Sequence, residues 1–162
     1  MMSNSILTGM AAGAVGTVAL NVATYVDMAV RARPSSSTPS QMVGAMADRA
    51  RVQSLSSQGG GLNDETAENR KSGLGALSGY VVGLGVGAAY GLLRSRVRHA
   101  PLPVSTIGLS LAAMAGSDVP IAALGVSDPR TWTASDWVAD LGPHLAYGLF
   151  TALAYDAFAV NS

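Results

Sequence analysis

The sequence predicts an all-α integral membrane protein, and three observations lead to this prediction. Only 12% of the 162 residues are charged, against about 25% in ordinary soluble domains. Uncharged apolar runs recur at close to the length of about 20 residues that a helix needs to cross a bilayer. Glycine recurs at every fourth position of one run, a spacing that suits helix contacts in lipid. We expect four transmembrane helices in a Gly/Ala-rich bundle, with a short interfacial amphipathic helix.

The whole chain, 1–162, is interpreted as a single membrane domain. The membrane helices are predicted at about 6–30, 64–94, 102–126 and 136–160, with a polar loop over 31–63. Within this loop, Thr38 and Pro39 are expected to cap and open a short helix. Its apolar side is predicted to lie on the membrane surface or against the bundle, and consists of Met42, Val43, Met46 and Ala50. Residues 53–62 have the composition of a flexible linker.

The second predicted membrane helix contains the run of regularly spaced glycines. They are Gly75, Gly79, Gly83, Gly87 and Gly91. Each glycine in a water-exposed helix costs about 1 kcal/mol relative to alanine. In lipid the backbone has to satisfy its own hydrogen bonds, so the helix forms despite this cost. Residues four apart share one helix face, so the glycines form a flat face that another backbone can approach closely.

The first predicted membrane helix has a matching surface of small and polar residues. They are Gly9, Gly13, Gly16, Thr17, Asn21 and Thr24. The simplest arrangement packs the first membrane helix against the second through these two faces. The alternative is that the glycine face contacts a second copy of the chain or another subunit. The sequence leaves both arrangements open.

Charged residues near the helix ends indicate the membrane boundary. Asp27 precedes Arg31 by four residues, the favourable order for a helical ion pair. Seven basic residues lie in the first and third connections and three in the second. Basic residues favour the cytoplasmic side, so we expect both termini outside.

The third connection contains Trp132 and Trp137, the two tryptophans of the chain, and both are expected at the level of the lipid headgroups. Thr133 and Asp136 have the spacing of a capping box for the last helix. The connection also contains a cluster of three charged residues, Asp128, Arg130 and Asp136. This cluster is expected either to stabilise the loop or to line the mouth of a cavity near Asp118.

Three polar side chains within the apolar runs form a candidate polar or transport site: Asn21, Asp118 and His144. An acid at mid-membrane costs roughly 2.5–3.5 kcal/mol, so Asp118 should face protein or water. Gly116 and Pro120 flank it, and one interpretation is a broken helix that opens a polar cavity, as in transporters. The other is that Asp118 only caps such a break or hydrogen-bonds a neighbouring helix. Asn21 is expected to hydrogen-bond across a helix interface.

His144 has two interpretations as well. It either pairs with Asp118 as a proton relay, since histidine titrates near neutral pH, or lies in the first turn of the last helix and hydrogen-bonds a carbonyl group. Gly142 and Pro143 precede it, and they are expected to kink the last helix or to mark its start.

Composition and motifs exclude several classes of function. The chain has no cysteine, which excludes disulfides and thiolate metal sites. With His99 and His144 as its two histidines, we expect no metal site. The net charge is zero and no basic tract is present, so we expect no nucleic-acid partner. GxSxG, HExxH and P-loop motifs are absent, so we expect neither enzymatic activity nor a cofactor.

Three stretches of the chain are "GAVGTVALNVATYVDMAVRARPSSSTP", "ENRKSGLGALSGYVVGLGVGAAYGL" and "GVSDPRTWTASDWVADLGPHLAYGLFTA". Together they resemble a group of small four-helix membrane proteins of actinobacteria. The resemblance implies a bacterial plasma-membrane location and four helices, and it implies no activity and no site residue.

The predicted function is that of a non-enzymatic scaffold or accessory subunit that associates through glycine-rich helix faces. Its partners would be the lipid bilayer and either further copies of the chain or the other subunits of a larger membrane complex. The alternative is a small oligomeric transporter or proton-linked permease that uses Asp118 and His144.

Overall fold

The computed structural model describes residues 2–51, 64–97 and 100–160, and in these ranges it contains helices and no strands. Its five α-helices are α1 (Met2–Arg31), α2 (Thr38–Arg49), α3 (Asp64–Arg94), α4 (Leu102–Ala123) and α5 (Ala134–Val160). A single 3-10 turn, Pro129–Thr131, separates α4 from α5 in this part of the chain. The all-α prediction is confirmed for the described residues. The predicted linker 53–62 and His99 lie outside them.

Three of these helices are long and apolar enough to cross a membrane. They are α1 over Asn4–Arg31, α3 over Glu65–Arg94 and α4 over Leu102–Ala123. The 27-residue α5 is also long, but it is not among the three. Its titratable side chains are Asp136, Asp140, His144, Tyr147, Tyr155 and Asp156. A fourth span therefore stays a prediction.

The helices expose long apolar side chains and bury mostly small or hydroxyl-bearing ones. Side chains that are more than half exposed include Val18, Val81, Ile107, Leu111 and Val138. The buried set includes Ala12, Thr17, Ser105, Ser110, Ala113, Thr151 and Ala152. In water such a surface would leave large apolar patches uncovered. Hydrocarbon is the solvent that suits it, because lipid-embedded helices associate through small residues.

The bundle is organised around α1, which packs along both α3 and α5. α1 and α3 are antiparallel, since Gly91 lies beside Ser5 whereas Gly83 lies beside Thr17. α4 packs mainly on α5, and α2 lies against the first turns of α3. We call the end where α1 and α4 finish and α3 and α5 begin the α2 end. The opposite end is called the Arg94 end.

The amphipathic helix α2 starts one residue earlier than predicted. Ser37 is the N-cap and Thr38 is the first helical residue. Ser40 and Ala47 are the buried residues of α2, while Met46 of the predicted apolar side is 54% exposed. The helix therefore buries small residues, and its first turn lies close to α3, where a methyl group on Gly75 would lie 2.8 Å from the carbonyl carbon of Pro39.

The two helices with a proline in their interior run without a break, so the broken-helix interpretation of α4 is wrong. α4 continues through Pro120 and α5 continues through Pro143. A proline removes one N–H group, and neighbouring hydroxyl groups and helices compensate for this loss in membrane helices.

The end of α4 differs from the predicted boundary at 126. The helix ends at Ala123, and Leu124 is its C-cap. Gly125 follows with a φ of +72°, in the left-handed region. This conformation terminates helices and favours glycine, which is why the apolar run to Val126 does not remain helical.

Candidate functional site

The closest helix contact joins the backbones of α1 and α3 through glycines. A methyl group placed on Gly13 would lie 2.5 Å from the carbonyl oxygen of Gly83 and 3.1 Å from Cα of Gly87. A methyl group on Gly9 would lie 2.9 Å from Cα of Gly91 and would overlap the Gly87 carbonyl oxygen. These distances leave no room for any side chain. The two helices therefore touch backbone to backbone along Gly9, Gly13, Gly83, Gly87 and Gly91.

The remaining predicted packing glycines lie elsewhere. A methyl group on Gly75 would lie 2.8 Å from the carbonyl carbon of Pro39 in α2, and one on Gly79 would meet no atom within 4 Å. Gly16 faces α5, where the carbonyl oxygen of Tyr147 would lie 2.8 Å away. The prediction that the whole glycine run of α3 faces α1 is therefore wrong for Gly75 and Gly79. Two crossing helices stay in contact over a limited number of turns.

Two tyrosines of α5 hydrogen-bond to the same glycines of α3, a relationship that the sequence analysis missed. Tyr147 is 1% exposed, and its hydroxyl group donates to the carbonyl oxygen of Gly83 at 2.7 Å. The hydroxyl group of Tyr155 lies 3.5 Å from the carbonyl oxygen of Gly91. Both pairs are separated by 64 residues, so two tyrosines and two glycines share one spacing on parallel helices. The equal spacing of the two tyrosines and the two glycines is the sequence feature that could have indicated this pairing.

Arg94 lies beside a pair of tyrosine rings at the Arg94 end. Its guanidinium carbon is 5.6 Å from the ring centroid of Tyr90 and 5.3 Å from that of Tyr155. The two rings meet edge to face at 5.2 Å. Arg94 donates to the Tyr90 hydroxyl group and to Asp156 Oδ1, both at 2.8 Å. This group connects α3 to the last turns of α5.

The structure places Asp118 of α4 within electrostatic range of His144 and Asp140 of α5. Nδ1 of His144 lies 2.8 Å from the carbonyl oxygen of Asp140 and 3.3 Å from its carboxylate Oδ1. The side chains of His144 and Asp140 are 12% and 19% exposed. Asp140 was missed as a site residue, although its spacing of four from His144 signals the pair.

Asn21, the third residue of the candidate polar site, contacts a different helix. Its Nδ2 lies 3.4 Å from the hydroxyl oxygen of Tyr80 on α3. The expected hydrogen bond across a helix interface is therefore present, between α1 and α3. The structure thus groups Asp118 with His144 and places Asn21 at another helix pair.

The predicted ion pair near the end of α1 is confirmed. Arg31 Nε lies 2.7 Å from Asp27 Oδ1, and Arg33 also pairs with Asp27. Arg31 Nη1 donates to Ser135 Oγ at 3.1 Å. This group therefore connects the end of α1 to the start of α5 at the α2 end.

The two tryptophans meet in the connection before α5. The rings of Trp132 and Trp137 are 5.1 Å apart, and Trp132 Nε1 donates to Ser127 Oγ at 2.9 Å. The predicted capping box is confirmed: the Thr133 N–H donates to Asp136 Oδ2 at 2.9 Å, and the Asp136 N–H lies 3.3 Å from Thr133 Oγ1.

The predicted charge group of this loop divides into two parts. Arg130 Nη2 pairs with Asp128 Oδ2 at 2.8 Å, whereas Asp136 belongs to the capping box. The hydrogen bonds from the Arg130 side chain and backbone hold the pKa of the Asp128 carboxyl group below its usual value. Arg130 therefore stabilises the turn before α5 and, since its side chain is 90% exposed, extends into solvent.

Among the residues that the structure describes, no group of three or more His, Asp or Glu side chains is arranged to hold a metal ion. Comparisons with protein-family models, curated proteins and solved structures found no match.

Proposed function

We propose that this chain is a multi-pass protein of the bacterial plasma membrane in which α5 forms a fourth span. α5 packs along α1, so the two helices occupy the same depth. Every fourth residue of α5 presents a long apolar side chain outward, at Leu141, Leu145, Leu149 and Leu153. Lipid is the environment that suits such a stripe beside a membrane helix.

Within the membrane, we propose that the chain acts as a non-enzymatic scaffold or accessory subunit, either as a homo-oligomer or in a larger complex. The supporting observation is the division of its glycines into two sets. Gly9, Gly13 and Gly87 are used within the bundle, where they fix α1 against α3. Gly85 and Gly108 have no atom within 4 Å of an added methyl group, so a helix of another chain can approach them closely.

Native mass in a mild detergent, with identification of co-purifying proteins, tests this role. We expect a mass above that of the monomer, and we expect Gly85→Leu or Gly108→Leu to reduce it without lowering the free energy of unfolding. Gly87→Leu is the matched variant, because it should destabilise the fold itself. A wild-type chain that is monomeric and purifies alone would remove the scaffold role.

A second function, a small oligomeric proton-linked carrier, is favoured by the approach of Asp118 to His144 across the α4–α5 contact. Titratable groups inside membrane helices commonly belong to proton or substrate pathways. Chain reconstituted in vesicles should move protons or a solute, and Asp118→Asn should abolish that flux. Asp128→Asn is the control, since this acid lies in the loop before α5. Flux that is indifferent to Asp118→Asn would rule the carrier out.

A further inference from the structure

The hydrogen bonds of His144 determine which of its ring nitrogens can accept a proton. The two acceptor atoms near Nδ1, the carbonyl oxygen and carboxylate Oδ1 of Asp140, lie at 2.8 and 3.3 Å. Neither acceptor has a hydrogen to give when Asp140 is ionised, so the neutral imidazole carries its hydrogen on Nδ1. Nε2 then has the free lone pair. Asp140 thus holds the ring with Nε2 as the basic atom, as carboxylates that bond to one ring nitrogen orient histidines elsewhere.

The surroundings of His144 supply more negative than positive charge. Asp140 lies one turn earlier on α5, and Asp118 is the one charged residue of α4. α1, the other helix packed along α5, has Asp27 and Arg31 as its charged residues, and Arg31 bonds to Ser135, nine residues before His144. Oδ2 of Asp140 is buried with no hydrogen-bond partner within the described part of the chain. Two carboxylates in an apolar setting, one with an unsatisfied oxygen, favour the binding of a positive charge.

We propose that Asp118, Asp140 and His144 form a binding site for one exchangeable proton, which is taken up at Nε2 of His144. Asp140 is the positioning residue, because it fixes the tautomer and stabilises the imidazolium. Asp118 adds the second negative charge from α4. The inference deepens the carrier function proposed above, and rests on it for the use that the cell makes of the proton.

Solid-state NMR of ¹⁵N-histidine-labelled chain in lipid vesicles tests the site without any transport assay. His99→Gln leaves His144 as the one histidine, so the spectrum reports on this ring alone. We expect the neutral ring to carry its hydrogen on Nδ1 and the second proton to add at Nε2 as the pH falls. A neutral ring with its hydrogen on Nε2, or a ring that never takes up a proton while the fold persists, would overturn the proposal.

Charge-removing variants in the His99→Gln background test the roles of the two acids. Asp140→Asn and Asp118→Asn should each cause His144 to lose its proton at a lower pH than in the parent protein, because each removes a charge that stabilises the imidazolium. Asp156→Asn, on the same helix at the Arg94 end, is the matched control and should leave the titration unchanged. A shift in only one of the two variants, or shifts no larger than that of the control, would contradict the three-residue site.

The tautomer measurement needs no acid variant, so it remains decisive if Asp140→Asn or Asp118→Asn fails to fold. The site and the carrier function fail in different ways. If His144 has the Nδ1–H tautomer and both acid variants shift its titration, but the chain carries no flux, the carrier function is ruled out and the proton site stands. If the chain carries flux but the neutral ring of His144 has its hydrogen on Nε2, the proton site is ruled out and the carrier function stands.

Discussion

The hydroxyl group of Tyr147 on α5 donates a hydrogen bond to the carbonyl oxygen of Gly83 on α3, at 2.7 Å. The same glycine approaches Gly13 and Thr17 of α1. Three helices therefore meet at one residue without a side chain, and its buried carbonyl group is the acceptor that anchors the third helix. At Gly83, therefore, the helices pack closely and the carbonyl group has a hydrogen-bond donor.

Removing this hydroxyl group should weaken the bundle. Tyr147→Phe keeps the buried ring and deletes the donor, and we expect the free energy of unfolding to fall by about 1 kcal/mol. Titration with a denaturing detergent, followed by circular dichroism, measures the change. Tyr25→Phe is the control because Tyr25 is 64% exposed. Equal effects of the two variants would show that the Tyr147 bond contributes nothing.

A single methyl group should separate α1 from α3 at one glycine and not at its neighbour. Gly87→Ala would place a methyl group 2.8 Å from Cα of Gly13, so we expect a loss of about 1–3 kcal/mol from overpacking. Gly85→Ala meets open space and should stabilise the helix by about 0.5–1 kcal/mol. The same detergent titration compares them. Destabilisation by Gly85→Ala of equal size would contradict the assigned contact.

Replacing the guanidinium group of Arg94 by an ammonium group should lower the stability of the bundle. Arg94→Lys retains the charge but loses the planar group that lies near Tyr90 and Tyr155 and reaches Asp156, and we expect a loss of about 1 kcal/mol. Arg96→Lys, on an exposed side chain of the same segment, should have no effect. If both lysine variants unfold at the wild-type detergent concentration, the stacking contributes nothing.

The loop before α5 should change with pH through Asp128. The pKa of its carboxyl group lies below the ordinary value of 3.8 because Arg130 hydrogen-bonds to the ionised form. The stabilisation is therefore fully present above pH 3.8, and it is lost as the pH falls through the lower folded-state pKa. Emission of Trp132 and Trp137 reports the change, and Asp128→Asn should remove this acid transition. Persistence of the same transition in Asp128→Asn would assign it to another group.

The sequence predicts the helices well because their signals are local. Hydropathy locates α1, α3 and α4, and the Thr133–Asp136 spacing locates the start of α5. Contacts between residues that are far apart in the sequence are harder to predict. The glycine run indicates a contact face but not its extent, which depends on the crossing of α1 and α3 and excludes Gly79.

The candidate polar site was predicted in part for the same reason. Asp118 and His144 stand out as titratable groups in apolar runs, so both were identified. The role of Asp140 depends on the direction of its carboxylate toward His144, which the sequence does not show. Pro120 suggested a break in α4, but one missing N–H group does not interrupt a helix supported by its neighbours.

Lipid should cover the outer surface of all four long helices. The cysteine-free chain allows single cysteines with spin labels at Val18, Val81, Ile107 and Leu149, one on each of α1, α3, α4 and α5. Accessibility to oxygen and to a water-soluble nickel relaxant measures the environment of each label in vesicles. We predict high oxygen and low nickel accessibility at all four positions. High nickel accessibility at these positions, in a chain that alkaline washing releases from the membrane, would contradict the account.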